Sequence, residues 1–166
     1  RDMIYRQCQI PDFDCVLRLM RASGASPEAM DFLEKEEAWV VDFTEYGQTD
    51  LLRLETLRAN TNQFYALTSR AEGVVAAEGY DLSTRDWQRP DVKAVLAPHP
   101  QAFFIAKPEF VRHEAGVKGG ARFVFQDTVA ECRACEPLAT GELVYEFDLA
   151  GRFLGVRLGE FKTANI

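Results

Sequence analysis

The sequence lacks any long apolar run. Its longest apolar stretches are AVLA at 94–97 and AFFIA at 102–106. A membrane-spanning helix requires about 20 such residues, so we predict no membrane span. Internal repeats and low-complexity segments are also missing. Hydrophobic residues nevertheless make up 47% of the chain, which indicates a folded globular protein and argues against disorder.

Positive charge is in short supply. The 26 acidic residues outnumber the 19 Lys and Arg residues, which gives a formal net charge of −7. A field of this sign repels phosphate backbones and anionic lipid. The densest group of basic residues, Arg6, Arg18 and Arg21, fits a solvated helix face. We therefore predict that nucleic acid is not a partner.

Signatures of common catalytic sites are missing as well. The serines have no G-x-S-x-G setting, and GVKGGAR at 116–122 lacks the helix and the Lys-Ser/Thr pair of a phosphate loop. GVKGGAR instead predicts a flexible hairpin connection. Acidic pairs such as Glu146 with Asp148 resemble catalytic carboxylates, but an acidic chain produces such pairs by chance. The sequence implies no cofactor and favours a protein that is not an enzyme.

The residues that are present predict an α+β fold in a single domain over 1–166. The segment PDFDCVLRLMRASG at 11–24 has acidic residues early, apolar residues at helical spacing and a stop at Gly24. The next segment, SPEAMDFLEKEE, offers Ser26 as an N-cap and Pro27 at the first helical position. We therefore predict a helical hairpin over residues 1–37.

Residues 38–166 predict a mostly antiparallel sheet with one short helix near 91–97, ended by Pro98. The strand-like runs are AWVVDFTEYG, two within QFYALTSRAEGVVAAEGYDL, QAFFIAKPEF, ARFVFQDTVAEC, GELVYEFDL and RFLGVRLGEF. The last two form a hairpin from Glu142 to Leu158, with Gly151 at a positive φ in its turn. Alternation within ELVYEFDL puts Tyr145 in the core and Val144 on a largely solvated face.

The four cysteines form two local pairs, Cys8 with Cys15 and Cys132 with Cys135. An even count in local pairs is consistent with export to an oxidising compartment. The chain begins at Arg1 and not at Met, which fits an expressed fragment or a mature form whose leader has been removed. We expect a periplasmic or secreted protein.

The Cys132-x-x-Cys135 motif has three interpretations. A redox centre needs a helix after the first cysteine, whereas Glu136, Pro137 and a strand follow here, and acidic neighbours disfavour a thiolate. A structural zinc site would need a second half from Cys8 and Cys15, at a wide spacing, or from His99 and His113. Structural disulfides are therefore favoured for both pairs. A thiol-disulfide or structural-zinc protein using Cys132 and Cys135 stays as the alternative.

A polar segment lies between strand-like runs in DLLRLETLRANTNQFYAL. Arg58, Asn60 and Asn62 bring a guanidinium and two amides together within five residues. Asn side chains in such a segment commonly bond their own backbone and form a turn. The functional interpretation is a loop whose polar groups contact a ligand or a partner.

Two stretches carry a resemblance, YGQTDLLRLETLRANTNQFYAL and CRACEPLATGELVYEFDLAGRFLGVRL. They resemble a group of uncharacterised exported bacterial proteins with an Arg-Ala-Asn-x-Asn motif and a Cys-x-Ala-Cys motif before a C-terminal β-hairpin. The matching positions are Arg58, Ala59, Asn60, Asn62, Cys132, Ala134, Cys135, Phe147, Asp148, Gly151, Phe153 and Gly155. Leu57 departs from the group, which has an aromatic residue there. The resemblance implies periplasmic or secreted export and a structural disulfide, and it implies no reaction.

Together these patterns predict a non-catalytic binding or interaction domain. Its partner would be an unknown protein or a small ligand, recognised through the Arg58 loop or an exposed sheet edge. A thiol or zinc protein and an enzyme with an unrecognised acidic site are the rival hypotheses.

Overall fold

A computed structural model describes residue 8, residues 13–22, residue 24, residues 26–56 and residues 63–165 of the chain. Helices and antiparallel sheets occur along it in separate segments, so the α+β prediction is confirmed. The chain divides into two compact units, residues 1–76 and residues 77–166. The single domain stays a prediction. None of the helices in the described ranges combines the length and the apolarity that crossing a membrane requires.

The first unit begins with two described helices, α1 (Phe13–Ala22) and α2 (Pro27–Glu36). Ser26 caps α2 as predicted, because its hydroxyl accepts the main-chain N–H of Ala29 at 3.1 Å and Pro27 follows it. Glu37 ends α2 in the left-handed conformation, with φ of 49°. The two helices agree with the predicted N-terminal helix pair.

A four-stranded sheet follows the helices. Its strands are β1 (Ala38–Tyr46), β2 (Thr49–Thr56), β3 (Gln63–Ser69) and β4 (Gly73–Ala77), in the order β1-β2-β3-β4. Apolar residues of the helices and of the first three strands share one core. Its buried members are Leu17, Met30, Leu33, Ala38, Leu54, Phe64 and Ala66.

The second unit contains a larger antiparallel sheet. Two short helices precede it, α3 (Thr84–Trp87) and α4 (Pro90–Leu96), the second at the place predicted for a helix near 91–97. The strands are β5 (Phe103–Phe104), β6 (Glu109–Ala115), β7 (Ala121–Ala130), β8 (Ala139–Phe147) and β9 (Phe153–Thr163). The order is β5-β7-β8-β9, and β6 also pairs with β7.

Strands β8 and β9 form the predicted C-terminal hairpin. They are antiparallel neighbours, with Leu143 opposite Leu158, and Gly151 in the turn between them has a φ of 81°. The predicted solvation of Val144 was wrong, because its side chain is only 4% exposed. Val144 pairs with buried Val124 on β7 and packs over Gly159 on β9, whose missing side chain makes room for it.

Candidate functional site

All four cysteines lie among the described residues, and none is free. Cys8 is paired with Cys15 and Cys132 with Cys135, with Cα separations of 5.7 Å and 5.0 Å. Both separations lie in the range that a disulfide bridge spans. The two predicted pairings are therefore present.

The Cys8–Cys15 pair belongs to a small core of the first unit. Cys8 is 5% exposed and lies with Trp39, which is also 5% exposed. Cys15 and the apolar side chains of Leu19 and Met20 pack against them. This bridge fastens the start of α1 to an apolar cluster, as a structural disulfide does.

The Cys132–Cys135 pair lies in the connection between β7 and β8. The main-chain N–H of Cys135 donates to the carbonyl of Cys132 at 3.1 Å, and every residue from Glu131 to Pro137 is exposed. No helix follows, since β8 begins at Ala139. The connection therefore lacks the helix N-terminus that activates a redox C-x-x-C motif.

The histidines proposed as further zinc ligands have other neighbours. His99 Nδ1 lies 3.2 Å from Glu131 Oε1, and the His113 ring packs on Phe123 with ring centroids 5.1 Å apart. Within the described ranges, no three His, Cys, Asp or Glu side chains are grouped so that they could hold a metal ion. Zinc binds cysteine in its thiolate form, so a cysteine pair offers ligands to zinc only when its disulfide is reduced.

The residues predicted to contact a ligand or partner are Arg58, Asn60 and Asn62. All three lie in residues 57–62, outside the described residues. Their role stays a prediction.

The motif residues of the last hairpin have structural roles. Asp148 Oδ1 accepts the main-chain N–H groups of Ala150 and Arg152, each at 2.9 Å, and fixes the turn. These bonds, led by that from Arg152, hold the pKa of Asp148 below its usual value. Phe147 and Phe153 are ring neighbours, with centroids 5.3 Å apart. The Phe-Asp, Gly and Phe residues of this motif therefore stabilise the turn and the packing of the hairpin.

The turn of this hairpin and the β6–β7 connection lie together at one end of the second sheet. Ala121, which begins β7, pairs with Phe147, which ends β8. A Cβ on Gly120 would clash with the carbonyl oxygen of Phe147, and one on Gly119 would lie 3.5 Å from Leu149 Cδ1. The β6–β7 connection is the hairpin connection predicted for GVKGGAR, and the Leu149 side chain lies beside it.

Exposed aliphatic side chains gather at this end of the sheet. Leu149 is 69% exposed, Leu154 60% and Val117 59%. Leu154 follows Phe153 on β9, where an irregularity in the β8–β9 pairing leaves it without an opposite residue in the register. We call Val117, Leu149 and Leu154, with the cationic residues Lys118 and Arg152, the sheet tip. The glycines and the Asp148 turn were visible in the sequence, but the exposure of the aliphatic residues was not.

One face of the same sheet carries charged side chains that neutralise one another. Arg112 donates to both carboxylate oxygens of Glu142, at 2.6 Å and 3.1 Å. Glu146 accepts from Arg122 and Arg157, at 2.9 Å and 3.1 Å. Glu146 and Asp148, the acidic pair noted in the sequence, are therefore each bonded to arginines.

Asp127 on β7 is a buried acid that was not predicted from the sequence. It is 3% exposed, and burial raises its pKa to about 6, although the main-chain N–H groups of Thr128 and Ala106 oppose the shift. Oδ1 accepts from Thr128 N at 2.6 Å, and Oδ2 has no hydrogen-bond partner among the described residues. The sequence pattern that could have predicted its burial is the alternation along β7, which puts Asp127 on the same inward face as Phe123 and Phe125.

The chain was compared with protein families, curated proteins and solved structures. No protein-family model, no curated protein and no solved structure matches the chain. A functional proposal therefore depends on the geometry of the described residues.

Proposed function

We propose that the chain is a non-catalytic interaction domain of an exported bacterial protein, and that it binds a protein partner through the sheet tip. The observation that supports this is the position of its exposed apolar residues. Among the described residues, the three most exposed large hydrophobic side chains all belong to the tip, at 59% to 69%. Phe43, Phe103 and Val111, the others in that class, are 37% to 44% exposed.

Exposed aliphatic side chains are common singly, but their concentration at one end of a sheet is typical of an interaction surface. The turn that presents Leu149 is fixed by Asp148, and the neighbouring loop is seated tightly at Gly120. A surface held in this way loses little conformational freedom on binding, which favours affinity.

The charges at the tip indicate the chemistry of the partner. Lys118 lies next to Val117 in the chain, and the Arg152 side chain is 69% exposed beside Asp148. Because Asp148 offsets the charge of Arg152, the charge that contrasts with the net charge of −7 of the whole chain is that of Lys118. We infer a partner surface with an apolar depression and acidic residues at its rim.

Export is supported by the two cysteine pairs at disulfide distance, since such bridges persist in oxidising compartments. The resemblance in the Cys-x-Ala-Cys stretch points in the same direction. The periplasm or the extracellular space is therefore the proposed location.

Photo-cross-linking tests the proposal in cells that produce the protein. A photoreactive residue replaces Leu149 in one variant and Phe103 in a control; Phe103 pairs with Ala130, at the other end of β7. We expect a discrete protein adduct from position 149 that disappears when Val117→Asp is added. Equal adducts from both positions, or an adduct that ignores Val117→Asp, would refute the tip as the binding surface.

Binding to phospholipid vesicles tests the main alternative, in which the sheet tip binds a membrane surface. Sedimentation with anionic phospholipid vesicles that depends on Leu149 would identify a membrane surface, in place of a protein, as the partner of the tip.

A further inference from the structure

The two disulfides differ sharply in their access to solvent. Cys8 is 5% exposed within an apolar cluster that includes Trp39, and its partner Cys15 is half-buried against the same cluster. Cys132 and Cys135 are both exposed, as are the two residues between them. A thiolate must reach a sulfur atom in order to attack it, so access alone makes the second bridge the more reactive.

The ends of the Cys132–Cys135 turn are held independently of the bridge. Strands β7 and β8 are paired from Ala121 with Phe147 to Val129 with Ala139. Beyond the last pair, the main-chain N–H of Leu138 donates to Val129 O at 2.8 Å, and Leu138 O accepts from Ala164 N at 3.1 Å. Opening the bridge therefore leaves the strands paired and the two sulfurs near each other.

The charges around the turn are mixed. Glu131 faces His99 at 3.2 Å, while Arg133 lies between the two cysteines in the chain and Glu136 follows them. The neighbourhood therefore does not present a uniformly negative surface to an approaching thiolate.

We infer that Cys132–Cys135 is a site of reversible thiol–disulfide exchange with dithiol reductants. One thiolate of the dithiol attacks a sulfur of the bridge and forms a mixed disulfide with that cysteine. The S–S bond between Cys132 and Cys135 breaks, and the released cysteine thiolate takes a proton from water. The second thiol of the reductant then loses a proton, closes on the mixed disulfide and releases the other cysteine. The products are an oxidised, disulfide-bonded reductant and a reduced Cys132–Cys135 dithiol.

The exchange is reversible because the paired strands keep the two thiols close. An oxidant of the disulfide class, such as oxidised glutathione, would form a mixed disulfide with one cysteine. The neighbouring cysteine would then displace glutathione and restore the bridge. This role differs from catalysis by an activated thiol, since the motif serves as the electrophile.

Differential alkylation of the folded full chain tests the inference. The protein is incubated with increasing dithiothreitol at neutral pH, quenched with an alkylating reagent and analysed by peptide mass spectrometry, with circular dichroism recorded in parallel. We expect Cys132 and Cys135 to be labelled together, at least about tenfold faster than Cys8 and Cys15, with an unchanged spectrum. Oxidised glutathione should then restore the unlabelled state.

Simultaneous labelling of all four cysteines, earlier labelling of Cys8 and Cys15, or labelling that begins only as the spectrum is lost would overturn the inference. A variant provides a second readout that does not depend on the reductant. In Cys132→Ser, oxidised glutathione should add one glutathione to Cys135 while the Cys8–Cys15 pair stays unmodified. A Cys135 that stays unmodified in the folded variant would equally contradict an accessible exchange site.

Discussion

Asp148 and Arg152 are joined by two hydrogen bonds across the last hairpin turn. Asp148 Oδ1 accepts the main-chain N–H of Arg152 at 2.9 Å, and Oδ2 accepts its Nε at 2.8 Å. The Asp148 carboxylate also accepts from Ala150, so one side chain fixes the whole turn. Leu149 is presented to solvent by that turn.

The first prediction concerns this carboxylate. Asp148→Ala removes three acceptor contacts and should lower Tm by a few degrees, whereas Asp148→Asn, which keeps Oδ1, should lower it less. Thermal unfolding followed by circular dichroism measures both. Asp81→Ala, at an exposed position outside the turn, is the control. An Asp148→Ala protein as stable as the control would show that the turn does not need its carboxylate.

The second prediction concerns Asp127 and pH. Its pKa is raised from 3.8 to about 6 in the folded protein, so between these values the folded state binds more protons than the unfolded state. The contribution of Asp127 to stability is therefore greatest at low pH and falls as pH rises through about 6. Asp127→Asn should remove this dependence and raise the free energy of unfolding by up to about 3 kcal/mol at pH 8.

Urea unfolding of both proteins at several pH values measures the direction in which Asp127 changes stability with pH. The difference between Asp127→Asn and the natural protein should grow from pH 4 towards pH 8 and then level off. A variant that is less stable at every pH would mean that the Asp127 carboxylate is held by favourable contacts, contrary to its burial.

The third prediction concerns Arg89, which covers part of the outer edge of β9. Its Nη1 and Nη2 donate to the carbonyls of Leu158 and Gly159 at 3.0 Å and 2.8 Å. Arg89→Ala should cost about 1–2 kcal/mol and leave these edge carbonyls open to another strand. Arg89→Lys should retain only part of this stability, because an ammonium group lacks the planar guanidinium fork that reaches both carbonyls.

Unfolding and sedimentation velocity measure the two effects of Arg89→Ala, and Arg85→Ala in α3 is the control for loss of an exposed arginine. An Arg89→Ala protein that stays monomeric at high concentration and keeps its full stability would show that Arg89 neither stabilises nor covers the edge of β9.

The fourth prediction contrasts two glycines of the second unit. Gly120 has an ordinary φ of −71°, but a Cβ there would clash with the carbonyl oxygen of Phe147. Apart from Gly79 itself and its two neighbours in the chain, no atom lies within 4 Å of the position that a Cβ would take there. Gly120→Ala should therefore cost at least about 1–3 kcal/mol, whereas Gly79→Ala should be close to neutral. Similar unfolding curves for the two variants would show that the β6–β7 connection is not tightly seated.

Much of the fold followed from local signals. Ser26 and Pro27 indicated the start of α2, and Gly151 indicated the turn between β8 and β9, because capping and positive φ have few alternative residues. The cysteine pairs were predictable from their short spacing and from the lack of a helix after Cys135. These features depend on neighbours in the chain.

Features that depend on distant neighbours were not visible in the sequence. Strand β6 is largely exposed and Val111 interrupts its register, so no alternation marks Glu109–Ala115 as a strand. The phase of Asp127 with Phe123 and Phe125 was readable in the sequence, but the position of β7 as an inner strand of the sheet was not. The sheet tip likewise arises where two connections meet, and no local pattern joins Val117 to Leu149.

Binding through the sheet tip can be measured as the affinity of the domain for the protein that position 149 cross-links. Isothermal titration calorimetry of that purified partner would compare the natural domain with Leu149→Asp, Val117→Asp and the control Phe103→Asp. We predict that each tip substitution raises the Kd by at least about tenfold, whereas Phe103→Asp leaves it unchanged. Unchanged affinity in both tip variants, or an equal loss in the control, would contradict binding through the sheet tip.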